Sequence, residues 1–145
     1  VSMADAAETF TYKCYCGAVE LEVTGPPMAC GHCHCKGCRA WSGCAFRTVA
    51  IIPQPQVKFT KGQEFVKSAR KAEGLPNHHW CDACGTRIGN KVDSKGAWGL
   101  DASLIEGYLD KFPPKWDCNC ESVPGWSKAQ TETQFDQFPP MPAKK

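Results

Sequence analysis

The sequence lacks the features that would place the protein in or across a membrane. Its 145 residues contain no run of about eighteen apolar residues, the length that a membrane-spanning helix requires. The first ten residues, VSMADAAETF, have neither the basic stretch nor the apolar stretch of a secretory signal. We expect Met3 to be the natural start, with Val1 and Ser2 a cloning scar, and we expect a reduced, soluble protein of the cytoplasm.

Concentrated charge of one sign is also scarce. Lys and Arg number 17 against 15 Asp and Glu, for a net charge of +2. The longest basic clusters, Lys67–Lys71 and Lys144-Lys145, are short and are expected to be solvated surface. The sequence therefore predicts no nucleic-acid partner.

Helical periodicity is equally rare. Lys36–Trp41 can form about one helical turn, and Gln63–Glu73 fits either a strand or a short helix. Short β-rich runs separated by Gly and Pro dominate instead. These runs are Thr9–Lys13, Ala18–Thr24, Ala45–Ile52, Val57–Thr60, Arg87–Val92 and Ala97–Asp101.

The length and the patterning together predict one mostly β domain with a single core. We place the domain at residues 9–130, after an N-terminal extension at 1–8. A polar, Pro-rich tail at 131–145 follows, and its last several residues are expected to be mobile.

Cysteine is abundant, with eleven residues in the chain. The count is odd and no secretory signal precedes it, so a disulfide framework is not expected. Clustered cysteines in a reducing compartment are more often metal ligands or catalytic groups.

Two cysteine pairs have the form of half-sites for a tetrahedral zinc ion: Cys14-Tyr-Cys16-Gly and Cys81-Asp-Ala-Cys84-Gly. Joining them closes a loop of roughly 65 residues at a cost of about 3 to 4 kcal/mol. A structural zinc site contributes about 10 kcal/mol or more, so the metal outweighs the loop closure. Redox-active thiols are the alternative, but no βαβ pattern surrounds Cys81 to support a thioredoxin-like motif.

Residues 30 to 38 read CGHCHCKGC and contain four more cysteines. Cys33, Cys35 and Cys38 alone would leave one zinc coordination position open, which is typical of a reactive site. Such a site suits sulfur chemistry, because the metal can hold an incoming thiol as thiolate. If Cys30 joins them, the four form a closed structural site, and the spacing leaves both arrangements open.

The cysteine pattern resembles that of the glutathione-dependent formaldehyde-activating enzyme family, which includes the centromere-protein-V-like proteins. The resemblance runs nearly end to end and includes seven cysteines in register. The matching segments are Cys14-Tyr-Cys16-Gly17, Cys33-His34-Cys35-Lys-Gly-Cys38-Arg39, Ser42-Gly43, Trp80-Cys81-Asp-Ala-Cys84-Gly85-Thr86, Gly99-Leu100-Asp101 and Glu121-Ser122 through Trp126.

The resemblance implies a fold, two metal sites and an activity. The fold would be a zinc-stabilised β-tent of the Mss4-like kind, with antiparallel sheets and little helix. Two zinc ions per chain are implied, a structural one at Cys14, Cys16, Cys81 and Cys84 and a catalytic one at Cys33, Cys35 and Cys38. The activity would be that of a carbon–sulfur lyase that joins glutathione, as co-substrate, to formaldehyde.

Other residues are candidates for supporting roles. His34 is predicted to be catalytic as a proton shuttle, or to support the metal-binding cysteines through a hydrogen bond without binding the metal itself, with His32 as the weaker candidate. Arg39 and Arg47, and with them Arg87, are candidates to bind the carboxylates of a glutathione-like thiol. The pair His78 and His79 is expected on the surface or in packing.

The C-terminal region departs from the family pattern. Asp117 stands where members often carry a histidine, and Cys118 and Cys120 form an additional CxC. These thiols are either ordinary strand residues, or reach the second zinc, or form a disulfide on oxidation. Cys30 and Cys44 have no predicted role.

Three functions remain open on the sequence. The first is a zinc-dependent carbon–sulfur lyase or transferase that acts on a small-molecule adduct of glutathione or a related thiol. The second is a non-catalytic β-tent module that binds a protein or chromatin partner. The third, a thiol–disulfide redox protein, requires CxxC cysteines free of metal.

Overall fold

The computed structural model describes residues 8–140, and its regular structure is mostly β. Two short helices occur in that range, α1 (Lys36–Ser42) and α2 (Tyr108–Lys111), together with single 3₁₀ turns. No helix among these residues is long and apolar enough to cross a membrane. The strands are β1 (Thr9–Lys13), β2 (Glu20–Thr24), β3 (Ala29–Cys33), β4 (Arg47–Pro53), β5 (Val57–Lys61), β6 (Val66–Ala69), β7 (Asn77–Cys81), β8 (Arg87–Val92), β9 (Ala97–Asp101) and β10 (Asp117–Cys118).

The strands form two sheets. The small sheet has the order β1-β2-β5, and the large sheet has the order β10-β3-β4-β9-β8-β7-β6. All pairings are antiparallel except that of β10 with β3, which is parallel. The mostly β prediction is confirmed, and its antiparallel description is corrected at this one pair.

The apolar core joins the two sheets. Leu21 and Val23 on β2 are fully buried, whereas Glu20 and Glu22, which alternate with them along the strand, are not. They belong to one buried cluster with Ile52 of β4, Ile88 of β8 and Leu100 of β9. Each such side chain contributes about 1.5 to 3 kcal/mol when it leaves water, so this layer fixes how the sheets are paired.

The opposite face of the large sheet is polar. Directly opposed residues lie on one face of a sheet, and side chains alternate along each strand. Cys33 pairs with Arg47, Val49 with Asp101, Gly99 with Asn90, and Asn90 with His78. We call the surface formed by Cys33, Arg47, Asp101, Asn90 and His78 the polar face.

Helix α1 packs against the polar face. The Trp41 ring stacks on His78 with 4.5 Å between ring centroids. At the same C-terminal end of the helix, Arg87 Nη1 donates a hydrogen bond to the Ser42 carbonyl over 3.1 Å. The helix that carries Cys38 is therefore fastened to the sheet strands β7 and β8.

The residues after 130 are hydrogen-bonded to the domain. Asp117 N donates to Thr133 O, and Phe135 N donates to Asp117 O, each over 2.9 Å. Asn119 N donates to Gln137 O over 3.0 Å. The boundary at 130/131 stays a prediction, and the predictions for residues 1–7 and 141–145 concern residues outside the described range.

Candidate metal centres

The first centre is formed by four cysteines from two chain segments 65 residues apart. Cys14 follows β1, and Cys81 ends β7. Each cysteine pair lies on a tight turn, here called a knuckle, and the two knuckles meet at one end of the fold. The sulfur of Cys16 lies 3.6 Å from that of Cys14 and 3.9 Å from that of Cys81. All four sulfurs, with Cys84, lie within 4.8 Å of one another. Tetrahedral zinc places its thiolate sulfurs about 3.8 Å apart, so this donor set fits zinc.

Glycines shape both knuckles. Gly17 and Gly85 have φ of +77° and +76°, and their amides donate to the carbonyls of Cys14 and Cys81. Thr86 connects the two halves, because its Oγ1 accepts from Tyr15 N over 3.0 Å and contacts Cys84 Sγ at 3.0 Å. The hydrogen bond from Thr86 lowers the pKa of Cys84, which favours its thiolate form.

The second centre lies where β3 passes into α1. Cys33 is the last residue of β3, Cys35 is the N-cap of α1, and Cys38 is in the first turn. Their three sulfurs lie within 4.8 Å of one another, and no fourth metal-ligating side chain of residues 8–140 joins the group. Cys33 is buried, whereas Cys35 and Cys38 are half-buried. The set fits a zinc ion with three protein ligands.

Within residues 8–140, each of these three sulfurs accepts a hydrogen bond from an N–H group. Asn119 Nδ2 donates to Cys33 Sγ over 3.4 Å, and Cys38 N donates to Cys35 Sγ over 3.1 Å. Arg47 Nη1 points to Cys38 Sγ over 3.9 Å. Asn119 has a φ of +55°, the left-handed conformation that Asn tolerates better than most residues. Asn119 and its contact were not predicted from the sequence.

Cys30 does not belong to the second centre. It lies three residues before Cys33 on the same strand, and it is part of the apolar core. Burial raises the pKa of its thiol to about 11, so it is a neutral core residue. The closed four-cysteine arrangement that the spacing left open is not the one formed.

The remaining cysteines differ in position. Cys118 is buried opposite Cys33 in the β10–β3 pair, and Asn119 Nδ2 contacts its sulfur at 3.4 Å. Cys120 is half-buried and Cys44 is exposed. All eleven cysteines lie in the described range, and none of them forms a disulfide.

His34 is fully buried beneath the second centre. Its Nε2 lies 2.6 Å from Asp117 Oδ1. Asp117 also accepts from Gln130 N at 3.0 Å, from Thr131 N at 2.7 Å and from Thr131 Oγ1 at 2.6 Å. Burial alone would raise the pKa of Asp117, but the hydrogen bonds from His34, Thr131 and Gln130 outweigh it and lower the pKa. Asp117, noted in the sequence only as a departure from a pattern, is the anchor of His34.

His32 faces away from the cysteine sulfurs. Its Nδ1 hydrogen-bonds to Thr48 Oγ1 over 3.0 Å, and its ring contacts Phe46 edge-on. Burial lowers its pKa, so the ring is neutral at pH 7.

The two predicted carboxylate-binding arginines are in different environments. Arg39 is half-buried, and its Nε donates to the His34 carbonyl over 3.3 Å. Arg47 is only 3% exposed and contacts Asp101, Asn90 and Cys38. A carboxylate-binding role stays a prediction for both, but the position of Arg39 beside solvent suits it better.

A groove runs along the outer side of α1. Its volume is about 560 Å³, and Lys36, Arg39 and Trp126 contribute charge and aromatic surface to it. The Trp126 side chain is 76% exposed. The remaining lining residues are Ala40, Gly43 and Cys44.

Comparisons with known proteins identify the class of this chain. A family model described as "Glutathione-dependent formaldehyde-activating enzyme" matches residues 9–122. The match covers most of the chain, and the protein belongs to this family. A solved structure, titled as the crystal structure of a Rhodobacter sphaeroides protein, has a similar fold, with a TM-score of 0.59 and 19% identity over 86% of this chain and 98% of that one.

Proposed function

We propose that the protein is a zinc-dependent carbon–sulfur lyase or transferase that acts on an adduct of glutathione or a related thiol. The observation that carries the proposal is the difference between the two cysteine groups. Four sulfurs can enclose an ion at the first centre, whereas three meet at the second within the described part of the chain. A complete set of protein ligands is typical of structural zinc, and three ligands are typical of a reactive site.

Zinc bound at the second centre would supply positive charge that stabilises a substrate thiolate at neutral pH. The protein residues determine the approach to that position. Cys33 lies on the buried side, and the half-buried Cys35 and Cys38 lie toward solvent. A substrate sulfur is therefore proposed to approach past Cys35 and Cys38.

His34 has a positioning role in this proposal. Its side chain is fully buried and bonded to Asp117, while its carbonyl accepts from Arg39. These contacts fix the backbone between Cys33 and Cys35. The alternative role as proton shuttle would require a path from the buried ring to substrate.

The groove along α1 suits the rest of a glutathione-like substrate. Glutathione has two carboxylates, and Lys36 and Arg39 supply two cations. A volume of about 560 Å³ is in the range of small-molecule sites. The indole of Trp126 offers an apolar surface beside these charges.

The test is a panel of thiol adducts with the zinc-loaded protein, including formaldehyde with free glutathione. Formation or cleavage of the C–S bond is followed by NMR, together with zinc content before and after chelator treatment. We expect about two zinc ions per chain and loss of turnover when the more labile one is removed. Absence of turnover with every adduct, together with two equally inert ions, would contradict the proposal.

A non-catalytic binding module is the second candidate. The observation in its favour is an exposed aromatic side chain at the first centre, since Tyr15 is 94% exposed between Cys14 and Cys16. This module would be supported by two zinc ions that a chelator does not remove, together with a binding partner that no longer binds the Tyr15→Ser variant.

A further inference from the structure

Arg47 is a buried cation with an unusual set of partners. Its Nε donates to Asp101 Oδ1 over 2.9 Å, and its Nη1 donates to Asn90 Oδ1 over 3.2 Å. Its Nη2 donates to Gly99 O over 3.4 Å. Contacts from β8 and β9 therefore hold the guanidinium in place while Nη1 reaches Cys38 Sγ at 3.9 Å.

The charges around Arg47 do not cancel within the protein. Burying a guanidinium is costly unless it is paired, and Asp101 provides one negative charge. Arg87 brings a second cation, with its Nε 3.9 Å from Asp101 Oδ2. Two cations and one carboxylate leave an excess of one positive charge. A divalent ion with three thiolates has one negative charge, so the polar face has the counter-charge that the second centre needs.

Among the N–H groups that the described part of the chain brings to the three sulfurs, only that of Arg47 is charged. Asn119 Nδ2 and Cys38 N are neutral donors. A charge-assisted hydrogen bond is stronger and draws more electron density from the sulfur. Cys38 is half-buried, so electrophiles can reach its sulfur. A hydrogen bond that lowers the nucleophilicity of this sulfur would therefore protect it from alkylation.

We propose that Arg47 positions Cys38 as a metal ligand and suppresses its nucleophilicity, so that an electrophilic carbon reacts with the substrate sulfur rather than with the site's own thiolate. The positioning of Cys38 as a ligand concerns metal binding alone. The protection of Cys38 from the electrophilic carbon rests on the proposed function. Arg47 acts through Cys38 and is a positioning residue.

The test compares Arg47→Met, which keeps an apolar chain of similar length, with Arg47→Lys, which keeps the positive charge but lacks the planar guanidinium group with its several N–H donors. Arg70→Met is the matched control, because it makes the same change of charge at an exposed arginine outside both cysteine groups. Zinc-loaded proteins are treated with iodoacetamide, in which a cysteine sulfur bonds to the CH₂ carbon and iodide leaves. Mass spectrometry follows each cysteine, and a chromogenic chelator follows zinc release.

We expect Arg47→Met to alkylate at Cys38 about 10- to 100-fold faster than the wild type, with faster release of one of two zinc ions. Arg47→Lys should be intermediate, and Arg70→Met should resemble the wild type. Equal rates in Arg47→Met and wild type would overturn the proposal. So would equal acceleration in Arg70→Met, since the loss of one positive charge anywhere on the protein would then explain it.

Asn90→Ala covers the case in which Arg47→Met does not fold. It removes one anchor of the guanidinium, and we expect the same selective change at Cys38, smaller in size. The variant is also prepared with cobalt in place of zinc, so that the thiolate-to-cobalt absorption band reports on the metal ligands. If Asn90→Ala is folded and neither this band nor the rate of Cys38 alkylation changes, the proposal is contradicted. None of these readouts needs turnover. Selective Cys38 effects in a protein that is inactive with every adduct would retain the positioning role and reject the proposed activity.

Discussion

His34 Nε2 and Asp117 Oδ1 lie 2.6 Å apart, and both side chains are fully buried. Asp117 thereby links the CHC loop to the segment at Gln130 and Thr131. The first prediction follows from its four donors. Asp117→Asn replaces one acceptor oxygen by an N–H group, which would face a donor, and should lower the free energy of unfolding by about 2 to 3 kcal/mol.

The difference between Asp117→Asn and wild type should depend on pH. The pKa of Asp117 is lower in the folded protein than its ordinary value, so the unfolded chain takes up this proton first as pH falls. The stabilisation is therefore complete above about pH 4 and is lost below it. Denaturant unfolding with metal content measured at each pH should show the two proteins converging toward acid. A constant difference would exclude ionised Asp117 as the cause.

Gly31 on β3 allows Trp116 to pack against the strand. A Cβ at Gly31 would lie 2.2 Å from the Trp116 ring, and Trp116 O accepts from His32 N. Gly31→Ala should cost about 1 to 3 kcal/mol through overpacking. Gly37→Ala is the control, because its Cβ would meet only Cys35 Sγ at 3.8 Å and alanine favours the helix. Thermal unfolding of the two variants should give shifts of clearly different size, and equal shifts would contradict this packing.

The fold was predictable from the sequence where strand patterns are local. The bounds of β1, β8 and β9 agree with the predicted runs, and those of β2, β4 and β5 differ by one or two residues. The short helix α1 was also predicted, and it extends one residue further, to Ser42.

Strands specified by their neighbours were missed. The β3 sequence ACGHC has no β-branched residue, and β3 is a strand because it lies between β4 and β10. The two-residue β10 depends on a parallel pairing with β3 that no local pattern shows. In Gln63–Glu73, the ambiguity resolves into a 3₁₀ turn and β6, whose partner is β7.

Because β3 was not predicted, the sequence did not show whether Cys30 belongs to the second centre. On a strand, residues three apart point to opposite faces, so Cys30 cannot join Cys33. That signal was available only once β3 was recognised. The buried contacts of Arg47 with Asp101 and Asn90 join β4, β9 and β8, and such long-range packing leaves no trace in spacing.

The first centre should be required for folding. Cys81 is fully buried, and Cys81→Ser removes one of four sulfurs that can hold an ion between distant segments. A structural zinc site contributes about 10 kcal/mol or more, which is comparable to the whole stability of a domain. We expect Cys81→Ser to be unfolded by circular dichroism. Cys44→Ser, at an exposed thiol, should unfold like the wild type. A folded Cys81→Ser protein with full zinc content would contradict a structural role for this centre.

The groove along α1 should determine substrate affinity. Lys36→Ala and Trp126→Ala remove exposed side chains that make no contribution to the core. We expect each to raise KM for a glutathione adduct by about 3- to 10-fold with little change in kcat, because a lost surface contact is worth about 1 kcal/mol. Lys58→Ala, an exposed lysine outside the groove, is the control. If Lys58→Ala has the same effect, net charge rather than the groove is responsible.

The second centre should be required for turnover but not for folding. Cys35 is a half-buried N-cap residue, and serine is itself a favoured N-cap, so Cys35→Ser can still accept the hydrogen bond from Cys38 N. Loss of one of three thiolates weakens zinc binding, for which even indirect contacts are worth about 10- to 100-fold. We therefore expect a folded protein with about one zinc ion per chain and a kcat at least about 100-fold lower. Cys44→Ser is again the control for folding and zinc content, since this thiol belongs to neither group of candidate ligands. Full activity of Cys35→Ser would end the assignment of catalysis to this loop, and loss of both ions would show that the two centres are not independent.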